Sequence, residues 1–241
     1  MTKFLASVSS LQEAATILAA GADIIDIKDP LKGALGAVET LVVKEIVQRV
    51  SGRVTTSATI GDLPMEAASI SGAIANMQTT GVDIIKVGVF ADSVPADILQ
   101  VIRKYTEKHC RIVLVFFADL KPQLEDFSEV ANAGVYGVML DTADKTKGSL
   151  RTIMNDSGLK YFINRARACG LITGLAGSLK LTDIQPLLKL DPDFLGFRSA
   201  LCDKNQRNNL IDMQAAHNVR AMIPVLENDE FKDRNLLLSM N

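Results

Sequence analysis

Eight short β-runs alternate with stretches of helical periodicity along the 241 residues, and that alternation limits the fold more than any other feature. The runs are 3–8, 22–28, 54–59, 81–89, 111–117, 136–141, 171–175 and 194–197. After the first, Ser9 or Ser10 can cap a helix on which Leu11, Ala14, Ala15, Leu18 and Ala19 recur at helical spacing, and Gly21 ends it. Further helices are predicted over 38–50, 65–79, from near Pro95 to 108, and over 123–133. Another spans 150–169 with a break near Ser157-Gly158; the last two cover 182–190 and a stretch within 205–218. The run 111–117 is continuously apolar, as in a parallel sheet covered on both faces. Eight strand–helix units with short loops are the count of a (β/α)₈ TIM barrel. An open doubly wound sheet would usually carry Gly-x-Gly-x-x-Gly after an early strand, and neither early loop has it. The expectation is one α/β barrel domain over residues 1–241, with the tail after Arg220 unassigned.

Within that frame, Gly21-Ala-Asp-Ile-Ile-Asp-Ile-Lys28 has two partial echoes. They are Gly81-Val-Asp-Ile-Ile-Lys-Val-Gly88 and Gly134-Val-Tyr-Gly-Val-Met-Leu-Asp141. Aligned on the first glycine, Lys86 falls on Asp26 and Asp141 on Lys28. Side chains alternate across a strand, so Asp26 and Lys28 share a face. If the three strands share a parity, Asp26, Lys28, Lys86 and Asp141 all point into the barrel, near the C-terminal strand ends where barrels keep their sites.

Such residues suit one kind of chemistry. A lysine buried among cations and apolar walls has its pKa lowered, and its neutral amine attacks carbonyls to form a Schiff base. A carboxylate beside it shuttles the protons. The plainer reading of Asp26 and Lys28 is a structural ion pair at the barrel mouth. Lys86 reads as a second cation or general base, or as a lysine whose head snorkels to solvent. Asp141 ends a strand, and the loop after it can swing Lys145 over the site, whereas Lys147 reads as a solvated charge. Lys121, with Asp119, reads either way; Lys180 and Lys204 read as solvated. The loops after the last two strands carry Gly177, Ser178, Arg198 and Ser199, where barrels commonly bind phosphate. Small residues admit main-chain amides to an oxyanion and an arginine adds a bidentate partner. Ordinary turn chemistry is the alternative.

Composition narrows the partners. Hydrophobic residues make up 48% and charged residues 22%, so the chain is globular. A net charge of −2 gives no case for nucleic acid or an anionic membrane. No apolar run reaches the roughly 20 residues of a membrane span, and the first residues show no leader pattern, so a cytoplasmic protein is expected. Cys110, Cys169 and Cys202 have neither metal nor disulfide spacing, and His109 and His217 make no metal pair. Neither a metal nor an organic cofactor is expected.

The run Asp23-Ile-Ile-Asp-Ile-Lys28-Asp-Pro-x-x-Gly-Ala-Leu-Gly-Ala37 resembles the signature of the (5-formylfuran-3-yl)methyl phosphate synthase family, and the likeness covers nearly the full length. That family belongs to methanofuran biosynthesis and is similar to class I aldolases. It converts two molecules of glyceraldehyde 3-phosphate to a phosphorylated hydroxymethyl-furan aldehyde, losing phosphate and water. The resemblance implies that Lys28 is the Schiff-base lysine and Lys86 the proton acceptor. It also implies that Asp26 and Asp141 are supporting carboxylates, and that Lys121 and Lys145 are further lysines of the site. The implied partner is a phosphorylated triose, and a homo-oligomer is expected. Two rivals stay open: another class I aldolase or isomerase acting on a sugar phosphate, and a non-catalytic phosphometabolite-binding barrel.

Overall fold

A computed structural model describes residues 1–224. Its eight strands are β1 (Lys3–Val8), β2 (Ile24–Ile27), β3 (Thr55–Thr59), β4 (Ile84–Val89), β5 (Arg111–Phe117), β6 (Gly137–Asp141), β7 (Ile172–Leu175) and β8 (Phe194–Phe197). All neighbours pair in parallel in chain order, and β1 pairs with β8 to close the barrel. The helices are α1 (Leu11–Ala19), α2 (Thr40–Val50), α3 (Ala67–Gln78), α4 (Ala96–Thr106), α5 (Ser128–Asn132), α6 (Leu150–Ile153), α7 (Asp156–Ala168), α8 (Leu181–Leu188) and α9 (Met213–Met222). The (β/α)₈ expectation is met. Most of the tail left unassigned by the sequence lies outside the described residues.

Strand alternation divides the apolar side chains into two cores. Phe4, Ala6, Val8, Ile25, Ile27, Ile85 and Val87 pack outward against the helices. Leu5, Ile24, Ile84, Val113, Val115, Phe117, Met139 and Phe194 fill the barrel interior. The inward set has the parity of Asp26, Lys28, Lys86 and Asp141. Gly174 lies on it too, because the Phe194 ring occupies the place of its missing side chain: a Cβ there would stand 2.0 Å from the ring.

The Gly-x-Asp echo has a structural cause at the strand starts. Asp23 accepts the Phe4 amide at 2.7 Å, and Asp83 accepts the Thr56 amide at 2.8 Å. Each carboxylate pins its strand to the preceding one and fixes the register, which places Asp26 opposite both Ser7 and Ser57.

Helix ends depart from expectation where side-chain caps decide them. The break in the sixth helical stretch falls at Met154–Asn155 rather than Ser157-Gly158, because the Asn155 side chain accepts the Gly158 amide and starts a new helix. The last helix begins at Met213, where Asp212 accepts the Ala215 amide. Lys204 and Asn205 instead sit at φ 53° and 56°, outside any α-helix. Residues 123–127 stay irregular and α5 is short; the Asp126 carboxylate accepts the Ser128 amide at its start.

Candidate active site

Two buried carboxylates organise the barrel interior. Asp26 accepts hydrogen bonds from Ser7 at 3.0 Å and Ser57 at 2.6 Å, and Lys86 Nζ lies 3.0 Å away. Both charged side chains are sealed, Asp26 at 0% and Lys86 at 2% exposure. Burial pushes the Asp26 carboxyl up, but the charges of Lys86 and Lys28 and the Ser57 hydrogen bond outweigh it, and its pKa is lowered. Burial also drives the Lys86 ammonium down, reinforced by Lys28 and opposed by Asp26.

Asp141 stands at the end of β6, nearer the rim. Lys145 Nζ is 2.5 Å from one carboxylate oxygen and Lys28 Nζ is 3.6 Å from the other. The Thr142 amide donates to Asp141 at 2.7 Å, and Lys145 also donates to the Thr142 carbonyl. Burial pushes Asp141 up, yet Lys145 and then Lys28 hold it well below the usual carboxylate range. The Lys145 ammonium is driven down by burial, partly offset by Asp141. Lys28 and Lys145 keep 7% and 17% of their side-chain surface, so these amines, unlike Lys86, are reached from the mouth.

Lys28, Asp26, Asp141, Lys145, Ser7, Gly177, Ser178, Arg198, Ser199 and Arg207 line one compartment at the C-terminal end of the strands. Its free volume is about 20 Å³, room for a single water. Beside it lies a second, more open compartment of about 350 Å³, which shares Lys145, Ser178, Ser199 and Arg207 and adds Lys180. Gly177 and Ser178 turn the chain with φ of 107° and 48°, and their main-chain amides find no acceptor among the described residues.

Arg198 does not present itself as sequence suggests. It pairs bidentately with Glu13, at 2.6 and 3.0 Å, and gives its remaining donors to the carbonyls of Ser7, Arg207 and Asn209. With all five N–H groups committed inside the protein, it ties β8 to α1. The arginine that reaches across the mouth is Arg207, which donates to the Gly33 carbonyl at 3.0 Å. Burial lowers its guanidinium, and the largest opposing influence is Asp141.

Lys121 also stands apart. It is exposed, at φ 54° after a 3₁₀ turn over Ala118–Leu120, and is not among the partners of either carboxylate. Asp119 accepts the amides of Ala143 and Asp144 at 2.7 and 2.9 Å and so shapes the loop that carries Lys145. Lys147 reaches Asp119 at 3.8 Å with half of its side chain in solvent.

Sequence reasoning missed Ser7, Ser57, Glu13 and Arg207. The two serines had a signal, since they share the inward parity on β1 and β3. Arg207 had none, because its loop reads as ordinary polar surface until it folds over the mouth. Asp62 was missed as well; it accepts the Ala34 and Leu35 amides at 2.8 and 2.7 Å and moulds the glycine loop after β2 into the rim. In that loop a Cβ on Gly36 would sit 2.4 Å from the Asp29 carbonyl oxygen. Among the described residues no group of three or more His, Cys, Asp or Glu could hold a metal ion. Burial pushes the Cys202 thiol up to about 11.

Fold and site together define a class, a parallel-barrel enzyme whose mouth presents lysine amines to buried carboxylates. Residues 4–220 match the family described as 4-HFC-P synthase, and the chain belongs to that family. A Methylorubrum extorquens protein bearing the name putative (5-formylfuran-3-yl)methyl phosphate synthase is 41% identical over 91% of this chain and 91% of its own length. The (5-formylfuran-3-yl)methyl phosphate synthase of Methanosarcina barkeri is 33% identical over 86% of this chain and 94% of its own. Among solved structures, a 3-hexulose-6-phosphate synthase superposes with a TM-score of 0.65 at 18% identity, covering 92% of this chain and all of that one. The phosphoribosyl anthranilate isomerase of Thermus thermophilus gives 0.66 at 14% over 92% of this chain and 98% of its own. At those identities the likeness is one of fold. No helix among the described residues is long and apolar enough to cross a membrane.

Proposed function

We propose that the chain makes (5-formylfuran-3-yl)methyl phosphate, a step of methanofuran-type cofactor biosynthesis, from two molecules of glyceraldehyde 3-phosphate through a Schiff base on Lys28. The observation that carries this reading is the position of Lys28: its amine lies in the mouth compartment, 3.6 Å from Asp141 and under the charge of Asp26. An amine so placed attacks an aldehyde or ketone carbonyl, and the two carboxylates move the protons of carbinolamine formation and loss. Removal of the proton next to the iminium then gives the enamine that joins the second triose. Asp26, backed by Lys86, is the base for that step, and Lys145 with Asp141 protonates departing oxygen.

Two anionic substrates need two oxyanion sites. The paired compartments support this, with Lys145 and Arg207 shared between them and the Gly177–Ser178 amides unspent. Arg207, rather than Arg198, is assigned the phosphate. Admission of a triose into so small a compartment requires Lys145 and Arg207 to swing outward.

Incubation with glyceraldehyde 3-phosphate should yield phosphate and an ultraviolet-absorbing furan aldehyde; absence of that product overturns the proposal. Borohydride added during turnover should leave an adduct on Lys28, located by peptide mass spectrometry. An adduct with a different product points to another aldolase-type reaction, and no adduct points to a barrel that only binds.

A further inference from the structure

Lys86 faces a different cavity from Lys28. At the N-terminal end of the strands a cavity of about 230 Å³ rises into the barrel, lined by Lys3, Thr55, Ser57, Lys86, Arg111 and Tyr136 among others. Lys86 and Ser57 line it and do not line the mouth compartment, whereas Asp26 lines the mouth compartment and not the lower cavity. Among the described residues, Leu5 borders both. The partition between the two spaces is therefore crossed at the Asp26–Lys86 contact of 3.0 Å and at the Ser57–Asp26 bond of 2.6 Å.

We infer that the lower cavity is a water-filled proton route that serves Lys86 from the face of the barrel opposite the substrate. Its volume has room for several waters. Its polar lining of Arg111, Tyr136, Asp193 and Thr55 supplies the partners such waters need. The inference rests on the reading of Asp26 and Lys86 as the proton-transfer pair. A substrate bound at Lys28 fills the mouth and leaves that pair no solvent above. The proton taken from carbon passes to the Asp26 carboxylate, and the Lys86 ammonium releases one of its own to cavity water. Asp26 then hands its proton across the 3.0 Å contact to the amine so formed, and the pair returns to its starting charges. Water reaches the base from below without meeting the iminium, which it would hydrolyse from above.

Access and turnover test the route separately. In a Ser57→Cys protein that also carries Cys110→Ser and Cys169→Ser, a small methanethiosulfonate reagent should label the introduced thiol from below. The rate should be the same before and after Lys28 is capped by borohydride reduction with glyceraldehyde 3-phosphate. Protection of that thiol by the cap overturns the route. Where Ser57→Cys blocks capping, glyceraldehyde 3-phosphate at saturating concentration serves as the plug, with the same two outcomes. Ile84→Phe and Ile24→Phe fill the cavity from different strands. Each should lower kcat about tenfold, with KM and borohydride trapping unchanged. Wild-type kcat in a plugged variant that still traps overturns the route. Lys86→Met separates this failure from failure of the underlying reading: if it retains full activity, Lys86 takes no part in the proton transfer. If it is inactive while the plugged proteins turn over normally, only the route falls.

Discussion

The Asp26 and Asp141 clusters are built from the same parts, a buried carboxylate flanked by lysine and hydroxyl or amide donors, yet they sit in different surroundings. Asp26 is held from three strands by Ser7, Ser57 and Lys86, and its lysine is closed off from the mouth. Asp141 is held largely from its own strand end and the loop after it, and both of its lysines touch the mouth. A pair closed off from the mouth keeps fixed geometry while a substrate comes and goes, which suits proton transfer. A rim pair can rearrange around a substrate, which suits bond making. One barrel thus carries a rigid half and an adaptable half within a few strands of each other.

The strongest way to break this division is Lys28→Ala. Loss of borohydride trapping and a fall in kcat of roughly 10⁴-fold or more are expected. The melting temperature should change little, because Asp141 keeps Lys145. Trapping that persists on another lysine would move the reacting amine and erase the contrast.

Asp26→Asn against Asp141→Asn compares the two surroundings directly. Removing one partner of a sealed pair costs about 3–5 kcal/mol, whereas the rim lysines can turn to water and the cost is about 1–3 kcal/mol. Thermal melts should therefore show Asp26→Asn as the less stable protein. That deficit should shrink as pH rises. Asp26 holds the Lys86 pKa up against burial, so in the variant that pKa falls below the parent's, and between the two values only the variant's unfolded chain binds more protons than its folded state. Stability then climbs with pH across this window. A deficit independent of pH would mean that Lys86 is not the group left unpaired.

The two arginines give a smaller contrast. Arg207→Gln should raise KM for the phosphorylated triose about tenfold with little change in melting temperature, the loss of one charge-assisted contact. Arg198→Gln should lower the melting temperature first, since it strands Glu13. Steady-state kinetics and melts on both variants decide whether the roles are reversed. The smallest effect is expected from Lys121→Ala, within about threefold in kcat/KM, as for a solvated charge. A loss matching that of Lys145→Ala would return Lys121 to the site.

The barrel was legible in the sequence because strand period, helical period and glycine punctuation recur in agreement along the whole chain. The inward parity of Asp26, Lys28, Lys86 and Asp141 was legible for the same reason, as a period of two inside apolar runs. Lys145 was reachable by argument, since the loop after Asp141 that carries it can swing over the barrel mouth. Arg198 was misleading because position on the barrel end says where a side chain is, not which groups have already claimed its donors. Glu13 claims them from 185 residues away, a distance no local pattern spans. Arg207 and the lower cavity were hidden because each is made by a whole end of the barrel rather than by any one segment. Helix ends were misjudged at Asn155 and Asp212, where a single side-chain cap outweighs the apolar period.

The pairing of β1 with β8, clasped by Arg198 and Glu13, has a consequence for how the protein is made. Ribosomal synthesis delivers Asp26 and Lys28 well before β8. Until β8 arrives, the growing polypeptide has an open sheet edge at β1 and no arginine to clasp Glu13. The amine thus meets its finished surroundings only after β8 has been translated, and a fragment cut short before β8 carries that lysine without the closed barrel around it.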